Sequence, residues 1–217
     1  MPVSRLRPPV PRAGDRPSSA FALLPRFKAA QSPSSTGWDS VLGRVGVSLA
    51  RRAIVFFSVA AVSTAFDQVT KVIATAELKG KPMTSFFGDL ARLQFATNDG
   101  AFLSLGASLP TTLRFLLLTV GVGLLLLAIA VFSLFGKNLD STQVAGYALI
   151  VSGGASNWFD RARFDGLVVD FMNLGLGRLR TGIFNVADLA ILAGIGVLLV
   201  HGWRMERLAK RAAVPSV

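Results

Sequence analysis

The chain has 217 residues, 52% hydrophobic and 16% charged, with a formal charge of +11. A mean hydropathy of +0.54 is too apolar for an ordinary soluble domain and suggests an integral membrane protein. There is no cysteine, which excludes disulfides, thiolate nucleophiles and cysteine metal sites, and the single histidine, His201, makes histidine-based catalysis a poor fit.

Residues 1–46 are rich in proline, arginine and serine, as in "PVSRLRPPVPRAGDRPSS", with no sustained apolar period. This segment is predicted to be a disordered basic tail on the cytoplasmic side. Its scarcity of acids also fits an organelle transit peptide or a misassigned start. Cations gather at the two chain ends without interleaved aromatics, so a positive-inside bias explains them more simply than nucleic-acid binding.

A first span is predicted over residues 53–74, long enough for a hydrocarbon core of roughly 30 Å. Asp67, Gln68 and Lys71 stand where a cleavable signal peptide would carry small residues. Residues 92–106, "RLQFATNDGAFLSLG", alternate at Leu93 and Phe95 and predict a small strand-and-turn element. A second span over 115–135 carries no charge. A third, over 144–159, is shorter, and its Gly146, Gly153, Gly154 and Ala155 suit close helix packing. A fourth is predicted over 186–203, preceded by "VVDFMNLGLGRLRTGIFNVAD" with Asp170 and Asp188 near its ends.

Four spans put both termini on one side. Arg51 and Arg52 flank the first span, and Arg204, Arg207, Lys210 and Arg211 follow the last, which assigns both termini to the cytoplasm. Asp67, Lys71, Asn98, Asn157, Asp160, Asp170 and Asp188 then converge at the depth of the outer face. His201 falls near the inner end, where an interfacial, non-catalytic role suits it.

Each polar group has two readings. Asp67 and Lys71, spaced i, i+4, share a helix face and either shape a site or neutralise each other at the interface. Asp160 and Arg161 either seat a site loop or make a helix-end salt bridge. Asn98 and Gly100 either serve a site or form a simple turn. Asp170 and Asp188 are the sharpest case. Two carboxylates held together in a low dielectric share one proton, so one can deprotonate water while the other polarises a carbonyl. Alternatively, Asp188 caps the last helix and Asp170 pairs with Arg178 or Arg180. A proton relay or transporter, a membrane adaptor and a metal hydrolase also remain as readings of intramembrane carboxylates.

These motifs, in this order and spacing, resemble the bacterial lipoprotein signal peptidases (signal peptidase II) over residues 53–203. "DQVTK", "NDGA", "GGASNWFDR", "VVDF" and "FNVAD" are similar to the family's segments. The resemblance implies an all-α membrane protein: four transmembrane helices with a small extracytoplasmic β-like cradle, spanning residues 47–205 between basic tails 1–46 and 206–217. It implies an aspartic endopeptidase that removes signal peptides from prolipoproteins, cutting before a diacylglyceryl-modified cysteine at the outer face of the bacterial inner membrane. Asp170 and Asp188 would be catalytic. Asp67, Lys71, Asn98, Gly100, Asn157, Asp160, Arg161 and Asn185 would bind substrate or support the site. No metal or other cofactor is implied. The partners would be diacylglyceryl-modified prolipoproteins and membrane lipids, not nucleic acid, with the enzyme a monomer. Phe102-Leu103, where the family carries a second alanine and then phenylalanine, and the long basic N-terminal tail depart from the family pattern.

Overall fold

The computed structural model describes residues 47–100 and 109–212. The basic tail 1–46, the Phe102-Leu103 departure and residues 213–217 lie outside them.

The first helix, α1 (Leu49–Leu78), buries Arg52, Phe56, Asp67, Lys71 and Ala74. Ile54, Phe57, Val62, Phe66, Val69 and Val72 on the same helix are exposed. The polar stripe faces the bundle and the apolar surface faces outward, the inverse of a helix in water. The second long helix runs through α2 (Thr111–Arg114), a π-helical stretch Phe115–Gly121, and α3 (Val122–Phe135). In the π stretch the carbonyl of Thr119 accepts a 2.8 Å hydrogen bond from the Trp158 indole. The end of α3 is closed by the buried Arg52. Its guanidinium donates to the carbonyls of Val47 at 2.9 Å, Leu134 at 3.4 Å, Leu139 at 3.3 Å, and Gly136. Carbonyls left open where a helix stops thus receive a charged donor.

Helix α4 (Ser141–Arg163) starts at a capping box of Asp140 and Gln143 and packs against α1, α3 and the last helix, α5 (Val186–Ala212). Its glycines set the approach. A Cβ on Gly153 would run into the carbonyl oxygen of Ala187, and one on Gly146 would lie 2.9 Å from Leu198. The start of α5 is therefore seated directly on α4.

Among the described residues, three helices are long and apolar enough to cross a membrane: Leu49–Leu78, Thr112–Phe135 and Val186–Arg211. The third span expected from the sequence is a helix, α4, but it is not among them. Its Ser156, Asn157 and Asp160 find their partners, Asp67 and Lys71, on a neighbouring helix rather than in lipid. Helix α5 continues through Ala212, so the first part of the C-terminal basic segment is helical.

The small β-like element expected beside the helices takes the form of a sheet. Strands β1 (Thr84–Phe86), β2 (Ala91–Asn98), β3 (Val168–Leu176) and β4 (Leu179–Arg180) form an open antiparallel sheet in that order. The strand anticipated around Leu93 and Phe95 is β2. Its partner β3 was not anticipated, because "VVDFMNLGL" is buried on both sides at its start and lacks alternation. The β2–β3 register shifts between Leu93 and Ala96, which sets Ala96 opposite Asp170. The sheet packs on α1 and α4 at the bundle end that carries the polar residues.

Candidate active site

Helix α5 begins after Asn185, and that residue is the hub of the site. Its backbone N–H donates to Asp188 Oδ2 at 3.1 Å, and the Asp188 N–H donates back to Asn185 Oδ1 at 3.1 Å. This reciprocal cap satisfies amides that a helix start leaves open. The Asn185 side-chain nitrogen donates to Asp170 Oδ1 at 2.7 Å and to Asn157 Oδ1 at 3.0 Å. One fully buried residue therefore ties the strand bearing Asp170 to the helix bearing Asp188.

Each carboxylate receives a further amide. Asn98 Nδ2 donates to Asp170 Oδ2 at 3.0 Å, and Asn157 Nδ2 donates to Asp188 Oδ1 at 3.0 Å. Burial pushes the Asp170 carboxyl up to about 6; the Asn98 amide opposes this, the Asp188 charge adds to it, and Asn185 and Lys71 oppose it.

Behind the pair lies a buried charge cluster. Lys71 Nζ is 2.8 Å from Asp67 Oδ2, 2.8 Å from Asp160 Oδ2 and 2.9 Å from Asn157 Oδ1. Asp67 Oδ1 accepts the Ala187 amide at 2.7 Å, one residue before Asp188. Asp160 Oδ2 accepts the Val169 amide at 3.4 Å, one residue before Asp170. The cluster thus grips the backbone beside both carboxylates.

Several of the competing readings are now decided. Asp67 and Lys71 do pair, but both are at most 3% exposed, so Lys71 does not reach toward an interface. Asp160 pairs with Lys71, not Arg161; the Arg161 guanidinium donates to the carbonyls of Gly100 at 2.7 Å and Asn157 at 3.4 Å. Arg180 is held by Asp89 and Asn173, leaving Asp170 to its amides. Asn98 accepts the Gly100 amide at 3.0 Å, so it makes a turn and serves Asp170 with the same side chain. His201 pairs with Asp140 at 2.9 Å, about 20 Å along α5 from Asp188 at 1.5 Å per residue.

Ser156 was not singled out from the sequence, and Gln68 was named only as a polar residue in place of a signal-peptide cleavage site. Ser156 Oγ donates to Asp67 Oδ2 at 2.6 Å, and Gln68 Nε2 donates to Ser156 Oγ at 2.8 Å and Asp160 Oδ1 at 3.0 Å. The signal available was adjacency: each stands next to a singled-out residue on the same helix.

A cavity of about 270 Å³ opens beside Asp188 and Asn157, walled by Leu118, Val122, Ile191 and Ile195. Leu118 and Arg161 also line a second cavity of about 630 Å³. A carboxylate at the edge of an apolar cleft, linked to a second through Asn185, suits hydrolysis of a substrate that is partly lipid-like. Among the described residues, no group of three or more histidine, aspartate or glutamate side chains is placed to hold a metal ion.

Comparison with known proteins supports the same reading. The family model described as signal peptidase (SPase) II matches residues 59–204. A lipoprotein signal peptidase of Sphingopyxis alaskensis is 38% identical over 165 residues, covering 73% of this chain and 91% of that protein. One from Gloeobacter violaceus is 33% identical over 161 residues, covering 74% and 88%. In fold, the chain is similar to a bacterial membrane enzyme solved by the in meso method at 2.3 Å resolution. The TM-score is 0.60 at 21% identity, covering 75% of this chain and 93% of that one. This chain belongs to the signal peptidase II family, membrane aspartic peptidases that process lipoprotein signal peptides.

Proposed function

We propose that Asp170 and Asp188 are the catalytic pair, and that the protein cuts prolipoproteins immediately before a diacylglyceryl-modified cysteine. The observation that carries this reading is the Asn185 bridge, which holds both carboxylates through one buried residue. One proton is shared by the pair. The ionised member takes a proton from water, and the protonated member polarises the scissile carbonyl. The hydroxide so formed adds to the carbonyl carbon, the C–N bond breaks, and a proton passes to the departing amine of the cysteine. Asn98 and Asn157 hold the two carboxylates in register during the transfer.

The apolar wall of Leu118, Val122, Ile191 and Ile195 beside Asp188 supports lateral arrival of the lipidated cysteine from the bilayer. In this reading α4 is the fourth crossing, and residues 47–205 form a monomeric peptidase unit in the bacterial inner membrane. Its basic tails, 1–46 and 206–217, are cytoplasmic, and the site lies near the outer face. The clustering of Arg51, Arg52, Arg204, Arg207, Lys210 and Arg211 at the far end of the bundle supports that orientation.

The test is cleavage of a diacylglyceryl-modified prolipoprotein peptide by the purified protein in detergent, with a chelator present. Wild type is expected to cleave, and folded Asp170→Asn and Asp188→Asn are not. Retained cleavage by either variant would sink the assignment.

A further inference from the structure

The amide of Asn157 has two orientations related by a flip, and its neighbours choose between them. Lys71 is a donor only, and so is the Asn185 nitrogen that faces Asn157. The Asp188 carboxylate is an acceptor. With Asn157 Oδ1 toward Lys71 at 2.9 Å and Asn185 at 3.0 Å, Nδ2 is left to face Asp188 at 3.0 Å. The flipped amide would set N–H against ammonium and oxygen against carboxylate. Lys71 is unusually well placed to enforce the choice. An ammonium has three N–H groups, and the structure supplies three acceptors: Asp67, Asp160 and Asn157.

We infer that Lys71 is a positioning residue for peptide hydrolysis: its buried ammonium fixes the Asn157 amide, and through that amide orients Asp188 directly and Asp170 by way of Asn185. The inference rests on the assignment of Asp170 and Asp188 as the catalytic pair. The simpler role, neutralising Asp67 and Asp160, accounts for two of the three N–H groups. It leaves the third, aimed at Asn157, without a purpose. The substrate never meets Lys71 in this scheme, so its loss should lower turnover and leave substrate binding alone.

The test is a double-mutant cycle on cleavage of the same lipidated peptide, in an Asp160→Asn background. Adding Lys71→Met there removes one ammonium, leaving the buried cluster with the same net charge as wild type. Lys71→Met and Asn157→Ala are each expected to lower kcat about 100-fold, the scale of a small misplacement of reacting groups, with KM within about twofold. Together they should lose no more than either alone, because one acts through the other. Full additivity, or an undiminished kcat in the Lys71→Met variant, would overturn the inference. Asn157→Asp in the wild-type background is the second arm, and it stands if the Lys71 variant fails to fold. It still accepts from Lys71 and Asn185, but it loses the N–H toward Asp188 and sets an acceptor oxygen against that carboxylate instead. It should fold and lose kcat with KM retained; a wild-type rate overturns the inference. Asp170→Asn and Asp188→Asn run alongside. If either cleaves, the pair assignment fails. If both are inactive while the Lys71→Met or Asn157→Asp variant keeps its full rate, only the positioning role fails.

Discussion

Asn185 lies 2.7 Å from Asp170 through its side-chain nitrogen, while its backbone and side-chain oxygen cap the helix that carries Asp188. Helix capping and active-site assembly are therefore one interaction in this protein. The cap holds the helix start in place, and the helix start holds a carboxylate.

That coupling separates two roles by substitution. Asn185→Ser retains an N-cap hydroxyl and loses the reach to Asp170. Its thermal midpoint in detergent should fall only slightly, since good caps differ by a few tenths to about 1 kcal/mol. Its kcat should fall at least about tenfold, the scale of a lost hydrogen bond to a charged group. Equal losses in stability and turnover would contradict the separation.

Asp170 makes stability depend on pH in an unusual direction. Its folded pKa, about 6, is above the ordinary value of 3.8. Below about pH 4 the carboxyl is protonated in both folded and unfolded chains and contributes no difference. Between about pH 4 and pH 6 the unfolded chain gives up its proton first, so stability falls as pH rises. Above pH 6 the full penalty is present, on the order of 3 kcal/mol from the size of the shift. Asp170→Asn removes it. That variant should melt above wild type at pH 7.5, with the gap closing toward pH 4 in thermal scans across that range. A gap that widens on acidification would refute the account.

Gly153 and Gly196 make a matched pair on the helices. A Cβ at Gly153 meets the Ala187 carbonyl oxygen, whereas one at Gly196 meets nothing within 4 Å. Gly153→Ala should destabilise by about 1–3 kcal/mol through overpacking. It should also lower cleavage, because the displaced residue is next to Asp188. Gly196→Ala should be neutral or slightly stabilising. Melting and cleavage of both, measured together, check the contrast.

Arg52 offers a test at the far end of the bundle from the carboxylates. Arg52→Met preserves much of the side-chain length and leaves the carbonyls of Leu134, Gly136 and Leu139 without their charged donor. A loss of about 1–3 kcal/mol is expected from buried acceptors left open. KM for the lipidated peptide should be unchanged at temperatures where the variant is folded. A KM shift would show that the α3 terminus communicates with the cleft.

The sequence by itself determined the membrane class, because lipid demands long apolar runs and these are visible without a fold. It also determined which side chains to watch: a carboxylate or amide within or beside a span is costly enough to stand out. Asp67, Lys71, Asn98, Asn157, Asp160, Asp170 and Asp188 were legible from the residues, whereas Asn185 came only from the family resemblance. Which of them touch was not legible. Asp160 could have turned to Arg161 beside it or to Lys71 on another helix, and Asp170 to Arg180 or to Asn185. Local spacing rates both options alike, since the deciding partner stands on a different element. Strand β3 was hidden for a related reason: a segment buried on both faces has no alternation to read. Helix α4 was read as a shorter span whose small residues suit close packing, and only the tertiary structure supplies the partners of Asn157 and Asp160 on it. Burial drove the rest. Once the glycines of α4 let α5 approach, a lysine, two aspartates and two asparagines had to satisfy one another out of water. Few arrangements leave none of their polar atoms unpaired.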